Sequence, residues 1–118
     1  MRIAVIDGQG GGIGKYIIER LRREIPEDTE ILALGTNALA AGAMLKAGAN
    51  EAASGENAIC FNAERVNIIV GPLGIVMANA MLGEITPKMA ESVSTSRSVK
   101  VLLPITRDDI VLAGYSSE

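Results

Sequence analysis

The segment Asp7-Gly8-Gln9-Gly10-Gly11-Gly12-Ile13-Gly14-Lys15 carries five of the thirteen glycines in a chain of 118 residues. An apolar run, Ile3-Ala4-Val5-Ile6, precedes it, and Tyr16-Ile17-Ile18-Glu19-Arg20-Leu21 follows it. Strand, glycine turn, helix is the order in which backbone N–H groups and a helix N-terminus can hold a phosphate. A tight turn alone needs one or two glycines. Five within seven positions suggest that backbone must approach something closely.

The rest of the chain continues the alternation of strand and helix. Residues 1–6 read as a strand buried on both faces, with Arg2 at its far end. Ile13, Ile17, Ile18, Leu21 and Ile25 recur at helical spacing until Pro26 stops the run, and charged residues take the other face. Residues 29–34 read as a second strand. Asn37 can cap a short helix over 38–47 that Gly48 ends. Residues 49–54 fit a short strand or a loop equally well. A helix over roughly 57–63 and a strand over 66–70 follow. Residues 75–82 are apolar all round and predict a buried helix, on which Asn79 would be a buried amide needing a partner. Thr86 as N-cap and Pro87 at the first helical position predict a helix fading at 94–96. Residues 99–103 read as a strand closed by Pro104, 110–113 could add an edge strand, and 116–118 read as a frayed tail. The alternation predicts a three-layer, Rossmann-like α/β fold over residues 1–118 as a single domain. Its sheet should be mostly parallel, with five to six strands in the order 3-2-1-4-5.

Composition fits that packing and narrows the function. Hydrophobic residues make up 48% and aromatics only 3%, so the core must be aliphatic. The net charge of −3 offers no footprint for nucleic acid or an anionic membrane. No apolar run approaches the roughly 20 residues that span a bilayer. The N-terminus runs straight into a strand, without a secretory signal, so a soluble cytoplasmic protein is expected. Histidine is absent and Cys60 is the single cysteine. That excludes an internal disulfide, a four-ligand Cys/His zinc site within one chain and the commonest general base. No metal site is expected.

Gly8-x-x-x-Gly12-x-Gly14 is similar to the glycine spacing of short-chain dehydrogenase/reductases, whose turn lies under a dinucleotide pyrophosphate. The resemblance covers about 20 residues. The Rossmann spacing G-x-G-x-x-G fails, because the last glycine would fall at Ile13. The P-loop pattern fails as well: Gln9 stands where glycine is needed and Tyr16 where Ser or Thr would bind magnesium. The tyrosine–lysine pair of the reductases is absent. The end of the second strand, Gly35-Thr36-Asn37, offers no carboxylate for a ribose, though Thr36 and Asn37 could bind a hydroxyl or phosphate. NAD(P) or another nucleotide is therefore a candidate cofactor without the usual acidic partner.

Asp7 ends the first strand and could serve a ligand, or simply cap the turn's N–H groups. Lys15 could pair with phosphate or be a solvated lysine. Glu56 could reach the same cleft or only begin a helix. Gly71-Pro72-Leu73-Gly74 follows the fourth strand and should face the glycine turn across that cleft. Glu84 is a further polar group beside apolar sequence. Cys60 reads as a small core residue, since no histidine is available to activate it.

Several segments together resemble a small bacterial family known as a domain of unknown function: Asp7 to Gly14, Ala33-Leu34-Gly35-Thr36-Asn37-Ala38, Gly55-Glu56-Asn57-Ala58-Ile59 and Met81-Leu82-Gly83-Glu84-Ile85-Thr86-Pro87. The resemblance implies a compact cytoplasmic protein of Rossmann-like appearance and carries no catalytic residues over. Three functions stay open. One is a domain that binds a nucleotide, a dinucleotide or another phosphate-bearing metabolite at Asp7, Gly8, Gln9, Gly10, Gly11, Gly12, Ile13, Gly14, Gly35, Thr36, Asn37, Gly71 and Pro72. Another is a small enzyme using Asp7, Lys15 or Glu56. The third is a non-catalytic, self-associating scaffold. A homo-oligomer could complete a half-built cleft from a neighbouring subunit.

Overall fold

Five strands form one sheet: β1 (Arg2–Asp7), β2 (Glu30–Gly35), β3 (Glu51–Ser54), β4 (Ile68–Pro72) and β5 (Val99–Leu103). The computed structural model describes residues 1–105 and 109–114. The strand order is β3-β2-β1-β4-β5, and every neighbouring pair is parallel. Helices α1 (Gly12–Glu24), α2 (Ala38–Lys46), α3 (Glu56–Ala63) and α4 (Pro87–Thr95) connect the strands, with a short 3-10 helix at Leu73–Val76. Residues 49–54, which fit strand or loop, resolve into β3 against β2.

The period of two in β1 makes the layers. Ile3 and Val5 join a core with Ile17, Ile18 and Met44 of α1 and α2. Ala4 and Ile6 join a second core with Ile59, Ile75, Met89 and Val93. Both faces of β1 are thus covered, as its unbroken apolar run requires. Each such isoleucine contributes about 1.5–3 kcal/mol through burial. At the N-terminal edge of the sheet, Arg2 Nε donates to Glu30 at 2.7 Å and Nη2 to Glu51 at 3.1 Å. This partly exposed cluster holds three strand ends in line but contributes little to stability.

Two expectations are corrected. Residues 75–82 are not a helix. After the 3-10 turn the chain runs through successive turns over residues 77–85 (the strap, below). Within it Asn79, Met81 and Leu82 adopt left-handed φ of 67°, 59° and 58°. Asn79 N–H donates to the Ile85 carbonyl at 2.7 Å and Ile85 N–H to the Ala80 carbonyl at 3.1 Å, closing the strap on itself. Ala80 and Ile85 are its buried anchors, with Ile75 buried in the 3-10 turn before it, so the apolar content belongs to a folded-back loop. Asn79 is exposed; its backbone, not its amide, does the bonding. Residues 110–113 form no strand and run into a turn at 113–114, with Gly114 at φ 81°. The tail at 116–118 lies outside the described residues.

Candidate functional site

The chain builds outward from β1 to β2 and β3, then returns to β1's other side with β4 and β5. In open α/β sheets, ligands bind at such a reversal, beyond the strand C-termini. A cleft of about 170 Å³ lies there. One wall is Asp7, Gln9 and Ile13 from the glycine turn; Pro72 and Gly74 follow β4; Met77, Ala80 and Met81 come from the strap; Ile105 closes the edge. The lining is mostly apolar, and the volume falls below the roughly 300–1,000 Å³ usual for ligand pockets.

Asp7 is 3% exposed. Its Oδ1 accepts the Gly8 N–H at 2.8 Å and its Oδ2 the Gly14 N–H at 2.7 Å. Asp7 therefore holds an N–H group in the first turn of α1, the anion's place at a helix N-terminus, and does the work of a cap. Burial pushes its carboxyl above the ordinary aspartate range; the Gly14, Gly8 and Ile13 N–H groups oppose that rise and the Glu84 charge adds to it.

A second carboxylate arrives from the strap. Glu84 Oε1 accepts the Thr36 hydroxyl at 2.6 Å, the Gln9 N–H at 2.7 Å and the Asn37 amide at 3.0 Å. The Thr36 hydroxyl, then the Gln9 N–H, hold Glu84 below the ordinary glutamate range, with Asn37 adding to this and burial opposing it. Asn37 does more: its Nδ2 also donates to the Gln9 carbonyl at 3.0 Å, and its Oδ1 accepts the Ala40 N–H and caps α2. In the structure Thr36 and Asn37 hold the protein's own carboxylate.

The glycines divide by cause. A Cβ on Gly8 would lie 2.7 Å from both Met81 Sδ and Thr36 Oγ1. Gly11 has φ 76°, and a Cβ there would lie 2.9 Å from the Ala40 backbone. Gly14 abuts Met44, Gly35 the α2 backbone and Gly71 the Ile6 carbonyl oxygen, so all three serve packing. Gly10 and Gly12 meet nothing within 4 Å and have no left-handed φ. They are exposed, and the fold gives no reason for glycine at either.

The structure does not bring the proposed acid–base groups together. Lys15 lines a separate groove with Glu19 and Lys46 on the outer face of α1 and α2. Glu56 accepts the Thr86 hydroxyl at 2.6 Å while Thr86 caps α4 through the Met89 N–H. Besides Asp7, the carboxylate that reaches the turn is Glu84, 75 residues from Gln9. A carboxylate just after an apolar run was its only sign in the sequence. Met77, Ala80 and Met81 also line the cleft, because the strap folds back instead of forming a helix.

Among the described residues, no group of three or more His, Cys, Asp or Glu side chains could hold a metal ion, and no helix is long and apolar enough to cross a membrane. A family model described as a domain of unknown function (DUF3842) matches residues 2–118. No curated protein matches the chain.

Proposed function

Because the chain belongs to the DUF3842 family, a domain of unknown function, its role has to be argued from its site, and we propose that it binds a small phosphate-bearing metabolite. The ligand class is a nucleotide, a dinucleotide or a similar metabolite. Its phosphate lies against the turn at Gly8, Gln9, Gly10, Gly11 and Gly12, and its apolar part enters the cleft beside Ile13, Pro72 and Met77. Gly10 and Gly12 carry this reading: they adjoin in sequence Gln9 and Ile13, which line the cleft at the sheet's reversal point, and neither packing nor backbone conformation calls for glycine at either. A bare backbone lets a phosphate come close. Gly35 and Gly71 act behind the site by letting neighbouring elements pack closely.

A reaction finds less support. Asp7 is engaged as a cap, Glu56 is hydrogen-bonded to Thr86 and Lys15 faces another groove. A binding domain, cytoplasmic and possessing no chemistry of its own, is the reading that uses the residues as they stand. A thermal-shift screen with NAD(P), FAD, mononucleotides and inorganic phosphate or pyrophosphate tests it. At least one phosphate-bearing ligand should raise the Tm, and Gly12→Val should abolish the shift. No shift from any of them would overturn the reading.

A further inference from the structure

Three donors from two loops converge on a single oxygen of Glu84: the Gln9 N–H, the Thr36 hydroxyl and the Asn37 amide, at 2.7, 2.6 and 3.0 Å. Such a set is an oxyanion receptor, and its occupant comes from the strap that walls the cleft. Beyond Met77, whose N–H donates to the Gly74 carbonyl, the strap's backbone hydrogen bonds are internal, among them from Asn79 to Ile85, from Gly83 to Asn79 and from Glu84 to Met81. Ala80 and Ile85 anchor it in the core, whereas Leu82 at its tip is 96% exposed. Glu84, together with Met81 against Gly8, is what ties that tip to the glycine turn.

We infer that Glu84 is a built-in placeholder, and that a ligand's phosphate displaces it from Gln9, Thr36 and Asn37, freeing the tip at 81–84 and widening the cleft beside Met81. The inference rests on the phosphate-binding reading above and adds its regulation. It answers two difficulties of that reading. An incoming phosphate would otherwise meet two carboxylates, Asp7 and Glu84; exchange replaces one anion by another on the same donors. The closed cleft is also small for a metabolite, and Met81 is one of its walls.

Calorimetric titration with inorganic pyrophosphate, combined with amide hydrogen exchange at Gly83 and Glu84, tests this in the intact chain. Glu84→Ala should bind pyrophosphate at least tenfold more tightly than wild type. Pyrophosphate should speed exchange at the wild-type tip at least tenfold. Adding Thr36→Val to Glu84→Ala should return the affinity at least tenfold towards wild type, which mere removal of a negative charge would not produce. Glu84→Gln keeps the packing and one accepting oxygen, and should move affinity in the same direction by less, should the alanine variant fold poorly. Equal pyrophosphate affinity in wild type and both Glu84 variants overturns the placeholder and leaves the binding reading intact. If neither wild type nor variant binds pyrophosphate or any nucleotide, both fall.

Discussion

Asp7 and Glu84 lie beside the same turn and are held in opposite ways. Buried Asp7 satisfies the Gly8 and Gly14 N–H groups, and a buried donor left unpaired costs about 1–3 kcal/mol. Asp7→Ala should therefore lower the urea-unfolding free energy by at least ~2 kcal/mol. Asp7→Asn, which keeps one accepting oxygen and turns an NH₂ towards the other donor, should lose less. An alanine variant as stable as wild type would refute the capping role. The two carboxylates also act oppositely on pH dependence. Glu84 is depressed in the fold, so its stabilisation is present above the ordinary glutamate pKa and is lost as pH falls through the folded value. Asp7 is raised, so its contribution is present below the ordinary aspartate pKa and is lost as pH rises through the folded value. The stability difference between wild type and Glu84→Gln should thus be largest near neutral pH and fade in acid. Urea midpoints measured from pH 7 downward check this, and a constant difference would contradict it. Because Glu84 is partly exposed, the effect is small, within about 1 kcal/mol.

Among the elements, the strap is where local chemistry and observed conformation disagree. Leu82 holds φ 58° while 96% exposed, with no burial to compensate. The left-handed region costs an ordinary residue roughly 1–2 kcal/mol. Leu82→Gly should consequently raise stability by a few tenths to about 1 kcal/mol, after glycine's larger unfolded-state entropy is subtracted. Chemical denaturation reads this directly, and a loss of stability would show that Leu82 is held by contacts beyond its backbone. The strap also explains why periodicity misleads over 75–82. Ile75 just before it and its own Ala80 and Ile85 are buried in the same core, as suits a chain that folds back on itself. A stretch apolar but for Asn79 carries no period by which to separate that loop from a buried helix. Elsewhere the caps were legible: Asn37 accepts from Ala40 and Thr86 from Met89, because these bonds join residues three apart.

Across the whole molecule, two aliphatic cores share one sheet, and β1 feeds both. Ile18→Ala in one core and Ile69→Ala in the other should each cost about 2–5 kcal/mol. Each should shift a single cooperative transition, since β1 and β4 couple the layers. Separate transitions for the two variants would show that the layers unfold independently. The alternation of elements and the parallel sheet were legible in the residues, because apolar periodicity, caps and glycine punctuation act over a few positions at a time; the order β3-β2-β1-β4-β5 agrees with the expectation but pairs strands far apart in sequence, which no local signal fixes. The location of the glycine turn at the sheet's C-terminal edge was legible too. Which glycines answer to packing, and which stand open, required knowing that Met81, Ala40 and Met44 come to rest against Gly8, Gly11 and Gly14. Glu84's return to Gln9 across 75 residues likewise has no local sign. Contacts of that range exist only once the sheet has formed and the strap has closed over its edge. The chain alone therefore specifies a turn fit for an anion, and tertiary structure alone reveals that two of its own carboxylates already occupy it.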